Sequence, residues 1–306
     1  MNVLKNFHLN FNAPLRQILE KVLVYGRMIK FSHTVFALPF VLSAVVLAGR
    51  THAITAAAVF WVLVAAVSAR SAAMGFNRIA DESFDRANPR TKEREIPSGR
   101  LSRTAAIWFV SVFSLMFVLA AGMLGRLCLW FSVPVLLVLF GYSYTKRFTR
   151  WCHVYLGFAI SLAPVGAWIA ITNTFSVGIL SLSLALLTYI AGFDIIYACQ
   201  DTDFDQAQGL FSLPSQAGVR TALFLSSLLH VLSFGFFLGV YVLFDLGLIY
   251  LATVLIIGAL FVVEHRLVNP DDLEHIDVAF FHVNSVISVL LFAGIVADEV
   301  FRRWMS

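Results

Sequence analysis

Long apolar stretches, each about the length of a membrane-crossing helix, follow one another through almost the whole chain. A bilayer span needs ~20 apolar residues, and such runs occur at 29–48, 54–76, 104–122, 127–145, 154–172, 177–199, 221–241, 246–263 and 279–298. The pattern predicts an all-α, polytopic membrane protein with nine transmembrane helices. The run at 246–263 is the least distinct, because only a very short turn separates it from its neighbour. Hydrophobic residues make up 59% of the chain and charged residues 13%, so a soluble globule would leave much apolar surface in water. Coiled coil and disorder are excluded too, because the apolar residues come in continuous runs rather than spaced stripes.

Residues 13–24 differ. Leu15, Ile18, Leu19, Val22 and Leu23 repeat at helical spacing, with Arg16, Gln17, Glu20 and Lys21 on the other face. This predicts an amphipathic helix, either on the membrane surface or capping the bundle from the solvent side. The chain thus divides into an amphipathic, cytoplasmic segment at 1–28 and a transmembrane domain at 29–306. Lys5 is followed by mixed polar residues rather than the short apolar core of a cleaved signal peptide.

Lysine and arginine set the expected orientation. With nine spans, the loops carrying Arg78 to Arg103, Lys146 to Arg150, Arg220 and Arg266 fall on the same side as Lys5 to Lys30. The positive-inside rule makes that side, and the N-terminus, cytoplasmic. The expected location is the cell (inner) membrane, multi-pass, with any chemistry facing the cytoplasm. The net charge of +4 then reads as basic loops beside anionic lipid head groups, not as a nucleic-acid surface. Cys128, Cys152 and Cys199 lie far apart and form neither a disulfide framework nor a zinc pattern.

Two acidic segments on that side carry the chemistry. Asn77, Asp81 and Asp85 are spaced four apart. On a helix continuing the second span they share one face, with ~6 Å of rise between them. Asp201 and Asp205 repeat the spacing, Asp194 lies deeper on the same face, and Asp203 points away. Rows of hard oxygen ligands suit Mg²⁺. Clustered carboxylates repel unless cations intervene, and a buried Asp costs about 2.5–3.5 kcal/mol on insertion scales. Two metal ions bridging a diphosphate answer both problems.

Arg70 stands seven residues before Asn77, as Asp194 stands before Asp201. Each acidic row therefore has one buried charge of opposite sign beneath it. Two readings stand: a structural Arg70–Asp194 ion pair on the cavity floor, or an Arg70 fork that receives a substrate carboxylate. A basic loop, Tyr142 to Arg150, lies on the same face. Its Lys146 and Arg147 can neutralise phosphate oxygens, while Arg150 fits the orientation rule alone. Arg94 and the turn Pro97-Ser98-Gly99 can cover the site.

These residues resemble the UbiA superfamily of intramembrane aromatic prenyltransferases. Asn77-x-x-x-Asp81-x-x-x-Asp85 is similar to its first aspartate-rich motif, and Asp194-x-x-Tyr197-Ala198-x-x-Asp201-x-x-x-Asp205 to its second. Asn88-Pro89-Arg90-Thr91, Ile96-Pro97-Ser98-Gly99 and Tyr144-Thr145-Lys146-Arg147 also match. The tracts Phe31 to Phe40 and Arg70 to Asn77 look like the 4-hydroxybenzoate polyprenyltransferase-like branch. Arg78 departs from the pattern, standing where many relatives have Asp.

The resemblance implies a helix bundle around a central cavity and Mg²⁺-dependent transfer of a polyprenyl group from its diphosphate to a hydroxylated aromatic acid in quinone biosynthesis. It implies metal ligands Asn77, Asp81, Asp85, Asp201 and Asp205, with Asp81, Asp201 and Asp194 essential for catalysis. Lys146, Arg147 and Arg94 would bind diphosphate, and Arg70, Asp194 and Tyr197 the aromatic acceptor. The acceptor stays open between 4-hydroxybenzoate for ubiquinone and a carboxylated dihydroxynaphthoate for menaquinone by the futalosine route, with a tetrapyrrole as a further choice. The rival from another class is an ion- or proton-coupled transporter, since charges in spans also mark ion paths. Against it, the acidic rows sit at helix ends on one side, and the spans show no inverted repeat.

Overall fold

The computed structural model describes residues 13–270, 273, 276 and 278–305. Its helices are α1 (Ala13–Met28), α2 (Leu38–Ala48), α3 (Ala56–Ala80), α4 (Glu82–Ala87), α5 (Arg103–Leu124), α6 (Arg126–Thr145) and α7 (Cys152–Thr172). They continue as α8 (Val177–Ala198), α9 (Thr202–Ala207), α10 (Leu213–Ala217), α11 (Val219–Leu243), α12 (Leu248–Leu267) and α13 (Asn284–Met305). Among the described residues, eight helices are long and apolar enough to cross a membrane. Residues 21–48 make a ninth if their two pieces, bent by 46°, are one span. Leu248–Leu267 is thus a helix in its own right.

Helix ends follow local chemistry. Thr55 and Ser102 cap α3 and α5 by accepting from Ala58 N–H and Ala105 N–H at 3.1 and 3.2 Å. Ser212 and Ser215 form a reciprocal capping box on α10. The first apolar run is not one straight helix. Lys30 takes a left-handed conformation (φ 46°, ψ 59°), and a 3₁₀ turn over Phe31–Phe36 separates α1 from α2. A non-glycine residue in that region is uncommon and tends to mark function.

The amphipathic reading at 13–24 falls partly on side chains outside the described residues, those of 13–20. Beyond them, Val22 and Leu23 are exposed, whereas Tyr25 stacks on Phe109 at 5.0 Å and Met28 is fully buried. The end of α1 is therefore packed into the bundle.

Helix α8 is the central post, packed between α7 and α11. Lipid gives helices no hydrophobic reason to associate, so close contact and internal hydrogen bonds must hold them. A Cβ at Gly157 would strike Leu187 O, and one at Gly192 would strike His230, so glycine permits both approaches. Buried Ser183 and Ser226 bond neighbouring helices through Ser161 O and Gly192 O, each at 2.7 Å. The outward face carries Trp108, Leu119, Trp130, Leu137, Phe224 and Val231, all exposed, which suits an apolar solvent.

Candidate active site

Helix α3 ends where its acidic row begins. Asp81 interrupts the helix (φ −95°, ψ 7°), and α4 starts at Glu82. The four-residue register survives the break: Asp81 N–H bonds Asn77 O at 2.9 Å, and Asp85 N–H bonds Asp81 O at 2.8 Å. The row expected on one continuous helix therefore lies across a break between two helices. Asn77 Nδ2 donates to Asp81 Oδ2 at 2.8 Å, while Asn77 Oδ1 faces Arg78 Nη1 at 3.5 Å. The second row follows the same plan. Asp194 and Tyr197 lie on α8, a 3₁₀ turn over Cys199–Asp201 carries Asp201, and α9 carries Asp205.

The two rows meet. Asn77, Asp81, Asp85, Arg94, Lys146, Arg147, Arg70, Asp194, Tyr197, Asp201 and Asp205 all line one cavity of about 260 Å³. Each motif carboxylate faces its own cation. Arg94 Nη1 donates to Asp85 Oδ1 at 2.6 Å, Lys146 Nζ lies 2.8 Å from Asp205 Oδ1, and Arg147 Nη2 lies 3.7 Å from Asp81 Oδ1. Arg90 grips Asp201 through Nε at 3.0 Å and through Nη2, and its Nη1 donates to Tyr197 OH at 2.7 Å. Burial works against the Arg90 charge, but the hydrogen bonds to Asp201 and Tyr197 outweigh it, and its pKa rises. Burial, then the neighbouring Asp85 charge, push the Asp81 carboxyl above its ordinary value.

Among the described residues, no three His, Cys, Asp or Glu side chains converge as a metal site. The donors nevertheless fit a hard cation. Asp205 is fully buried, with Lys146 Nζ at its Oδ1 and, among the described residues, no hydrogen-bond donor at its Oδ2, and Asp85 Oδ2 has only Arg78 Nη1 at 3.9 Å. Carboxylate oxygens left so far from water call for a cation.

Arg70 and Asp194 do not form the ion pair that was one of the two readings. Arg70 Nη2 donates to Lys30 O at 3.4 Å, and its Nε is buried without a partner. Asp194 Oδ2 lies 2.7 Å from His153 Nδ1, and His153 Nε2 accepts from Leu213 N–H at 3.3 Å. The second bond places the ring proton on Nδ1, so His153 donates to Asp194. The reason is directional: α8 turns Asp194 toward the first turn of α7, while Arg70 reaches the break between α1 and α2.

Lys30, His33, Arg78, Arg90 and His153 also line the cavity and were not assigned roles from sequence. Arg90 belongs to the quoted Asn88–Thr91 tract, which is the signal that could have found it. His153 has only its polarity at the edge of an apolar run. Exposed Asp203 and Arg150 lie away from the site as expected, with Arg150 over the Trp151 ring.

A helical membrane bundle whose interior opens onto two acidic rows and a ring of cations defines an intramembrane enzyme. Residues 37–286 match the UbiA prenyltransferase family, and the chain belongs to that family. It is 29% identical over 228 residues to a 4-hydroxybenzoate octaprenyltransferase of Vibrio parahaemolyticus, covering 74% of this chain and 80% of that one. It is similar to the apo structure of a UbiA homolog from Aeropyrum pernix, with a TM-score of 0.79, 28% identity and coverage of 87% of this chain and 98% of the other. A UbiA homolog from Archaeoglobus fulgidus bound to DMAPP and Mg²⁺ shares the fold, with a TM-score of 0.66, 18% identity and coverage of 90% and 99%.

Proposed function

We propose that this prenyltransferase moves a polyprenyl group from its diphosphate to the ring of a hydroxylated aromatic acid of the 4-hydroxybenzoate type, using Mg²⁺, in quinone biosynthesis. The observation that carries the reading is the convergence of both acidic rows and their four cations on one cavity. The octaprenyltransferase names of relatives such as that of Vibrio parahaemolyticus favour this acceptor class. The DMAPP and Mg²⁺ bound by the Archaeoglobus homolog favour the donor and the metal. The lysine and arginine distribution supports a cytoplasmic N-terminus and an active site facing the cytoplasm.

Asn77, Asp81 and Asp85 would hold one ion, and Asp201 and Asp205 the other. Mg²⁺, when bound, neutralises the diphosphate and makes it a better leaving group. Lys146, Arg147 and Arg94 then exchange their carboxylates for phosphate oxygens. Arg70, with an unpartnered Nε, takes the acceptor carboxylate. Asp194, fixed by His153, orients the acceptor hydroxyl, with Tyr197 beside it. Phe36, Phe193, Phe280 and the Tyr197 ring wall the cavity, exclude water and offer π faces to the allylic centre. An apolar chamber of about 310 Å³ adjoins at Ala37, Arg70 and Ile160 and has room for part of the prenyl chain.

The test is incubation of the purified protein in nanodiscs with Mg²⁺, labelled prenyl diphosphate and a panel of acceptors: 4-hydroxybenzoate, a carboxylated dihydroxynaphthoate and a tetrapyrrole. Prenylated 4-hydroxybenzoate is expected. Turnover of the naphthoate alone moves the protein to the menaquinone branch. Absence of any product sinks the reading.

A further inference from the structure

His33 stands outside every role assigned above. It sits in the 3₁₀ turn after Lys30, is half-buried, and lines the same cavity as the acidic rows. Phe36, Phe280 and Phe281 surround its ring, with centroids at 5.3, 5.5 and 5.3 Å. Among the described residues, neither of its ring nitrogens has a hydrogen-bond partner. The other buried imidazoles are engaged: His153 by Asp194 and Leu213 N–H, His230 by His265 and Tyr189 O. Neutral imidazole always carries one nitrogen lone pair, and among the described residues nothing occupies it. Among the described residues, the charged groups that reach His33 are Lys30, Arg70 and Arg78, none of them a carboxylate.

Its position suits the acceptor side. Phe280 stacks on Tyr197 at 4.2 Å, and Tyr197 carries the Arg90 bond that leads to Asp201. His33 is therefore two ring contacts from Tyr197, and Arg70 lines the same cavity. Asp194, the cavity carboxylate outside the proposed metal ligands, already takes a hydrogen bond from His153.

Building on the aromatic-acid reading, we propose that His33 is the catalytic base that removes the ring proton after prenylation. The allylic C–O bond breaks and its electron pair leaves with diphosphate. The ring carbon ortho to the hydroxyl supplies the pair for the new C–C bond. The C–H bond at that carbon then breaks, its electrons restore the aromatic ring, and the proton passes to His33 and on to water. Prenyl diphosphate and arene thus give prenylated arene, diphosphate and one proton. The neighbouring cations Lys30, Arg70 and Arg78 repel a lasting imidazolium, so the proton passes on rather than staying on the ring.

The test uses His33→Gln and His33→Ala in nanodiscs with Mg²⁺, labelled prenyl diphosphate and 4-hydroxybenzoate deuterated beside its hydroxyl. Turnover should fall about 10²-fold, the ordinary yield of a positioned base, while KM for prenyl diphosphate holds. Ring deuterium should slow both variants but not the wild type, because proton removal becomes limiting only without the base. Added imidazole should restore turnover in His33→Ala. Activity within a few-fold of wild type, or loss without an isotope effect in both variants, overturns the assignment of His33 alone. A wild type that prenylates no aromatic acid overturns this proposal together with the reading beneath it.

Discussion

Arg90 and Asp201, 111 residues apart, meet in a forked ion pair on the wall of the cavity, with Arg90 Nε 3.0 Å from Asp201 Oδ1. Asn88 Nδ2 adds a bond to the same oxygen at 3.1 Å. The pair fastens the loop after the first acidic row to the end of α8, and it competes with any metal for Asp201. Arg90→Ala should therefore bind Mg²⁺ more tightly than wild type without substrate, while kcat/KM for prenyl diphosphate falls about 10–10²-fold as one of the cations of the cavity is lost. Arg90→Lys should recover little, because an ammonium cannot form the fork. Calorimetric Mg²⁺ titration and steady-state kinetics check both halves; unchanged metal affinity would show that the pair does not guard the ligand.

Removal of metal should silence the enzyme, and Asp81→Ala or Asp201→Ala should abolish turnover while the protein still inserts in the membrane. The proton competes for the same site. Burial and Asp85 raise the Asp81 pKa, so this carboxyl is protonated at pH values where an ordinary one is already ionised. Mg²⁺ affinity should thus weaken as pH falls through a window above the ordinary carboxylate range. The sign is fixed, because the protonated form has given up its charge. In Asp81→Asn that dependence should flatten. Mg²⁺ titrations at stepped pH measure it, and a wild-type affinity that strengthens in acid would contradict the ligand role.

Arg70→Ala should raise KM for carboxylate-bearing acceptors far more than KM for prenyl diphosphate. Its Nε has no protein partner and its Nη2 only a long bond to Lys30 O, so the fold gives it little to do without substrate. Paired kinetics with an aromatic acid and the corresponding amide decide the matter. Equal losses for both substrates would return Arg70 to a structural role.

The long apolar runs made the helices legible, because a bilayer leaves a chain few ways to satisfy its backbone. The four-residue spacing made the acidic rows legible for the same local reason, and it survives the break at Asp81. What escaped was set by tertiary contact. Nothing around Lys30 announces a left-handed residue or a 3₁₀ turn, so the first run reads as one straight span. Arg70 and Asp194 have matching depths, yet pairing depends on which neighbour each helix face meets, and His153 reaches Asp194 first. Arg90 lies in an irregular loop, where sequence distance says nothing about the 111-residue closure onto Asp201.

Behind the cavity wall, α13 begins with a π-helical turn over Val278–Val283, which shifts the backbone out of α register and leaves carbonyls to be satisfied. Asn284 Nδ2 faces Ala279 O at 3.0 Å and Phe280 O at 3.1 Å, and it also donates to Glu264 Oε1 at 2.7 Å. Glu264 and Asn284 are both fully buried, so the carboxylate and amide hold each other and, through Phe280, the ring that stacks on Tyr197. Glu264→Leu strands a buried amide donor and should cost about 1–3 kcal/mol. Glu264→Gln keeps an oxygen for Asn284 and should cost much less. Thermal unfolding in detergent compares the two. Because the π-helical turn carries Phe280, Glu264→Leu should also raise KM for the aromatic acceptor at temperatures where the protein is still folded, whereas KM for prenyl diphosphate should move little. Equal stability of the two variants would mean that the π turn holds its shape without this bracket.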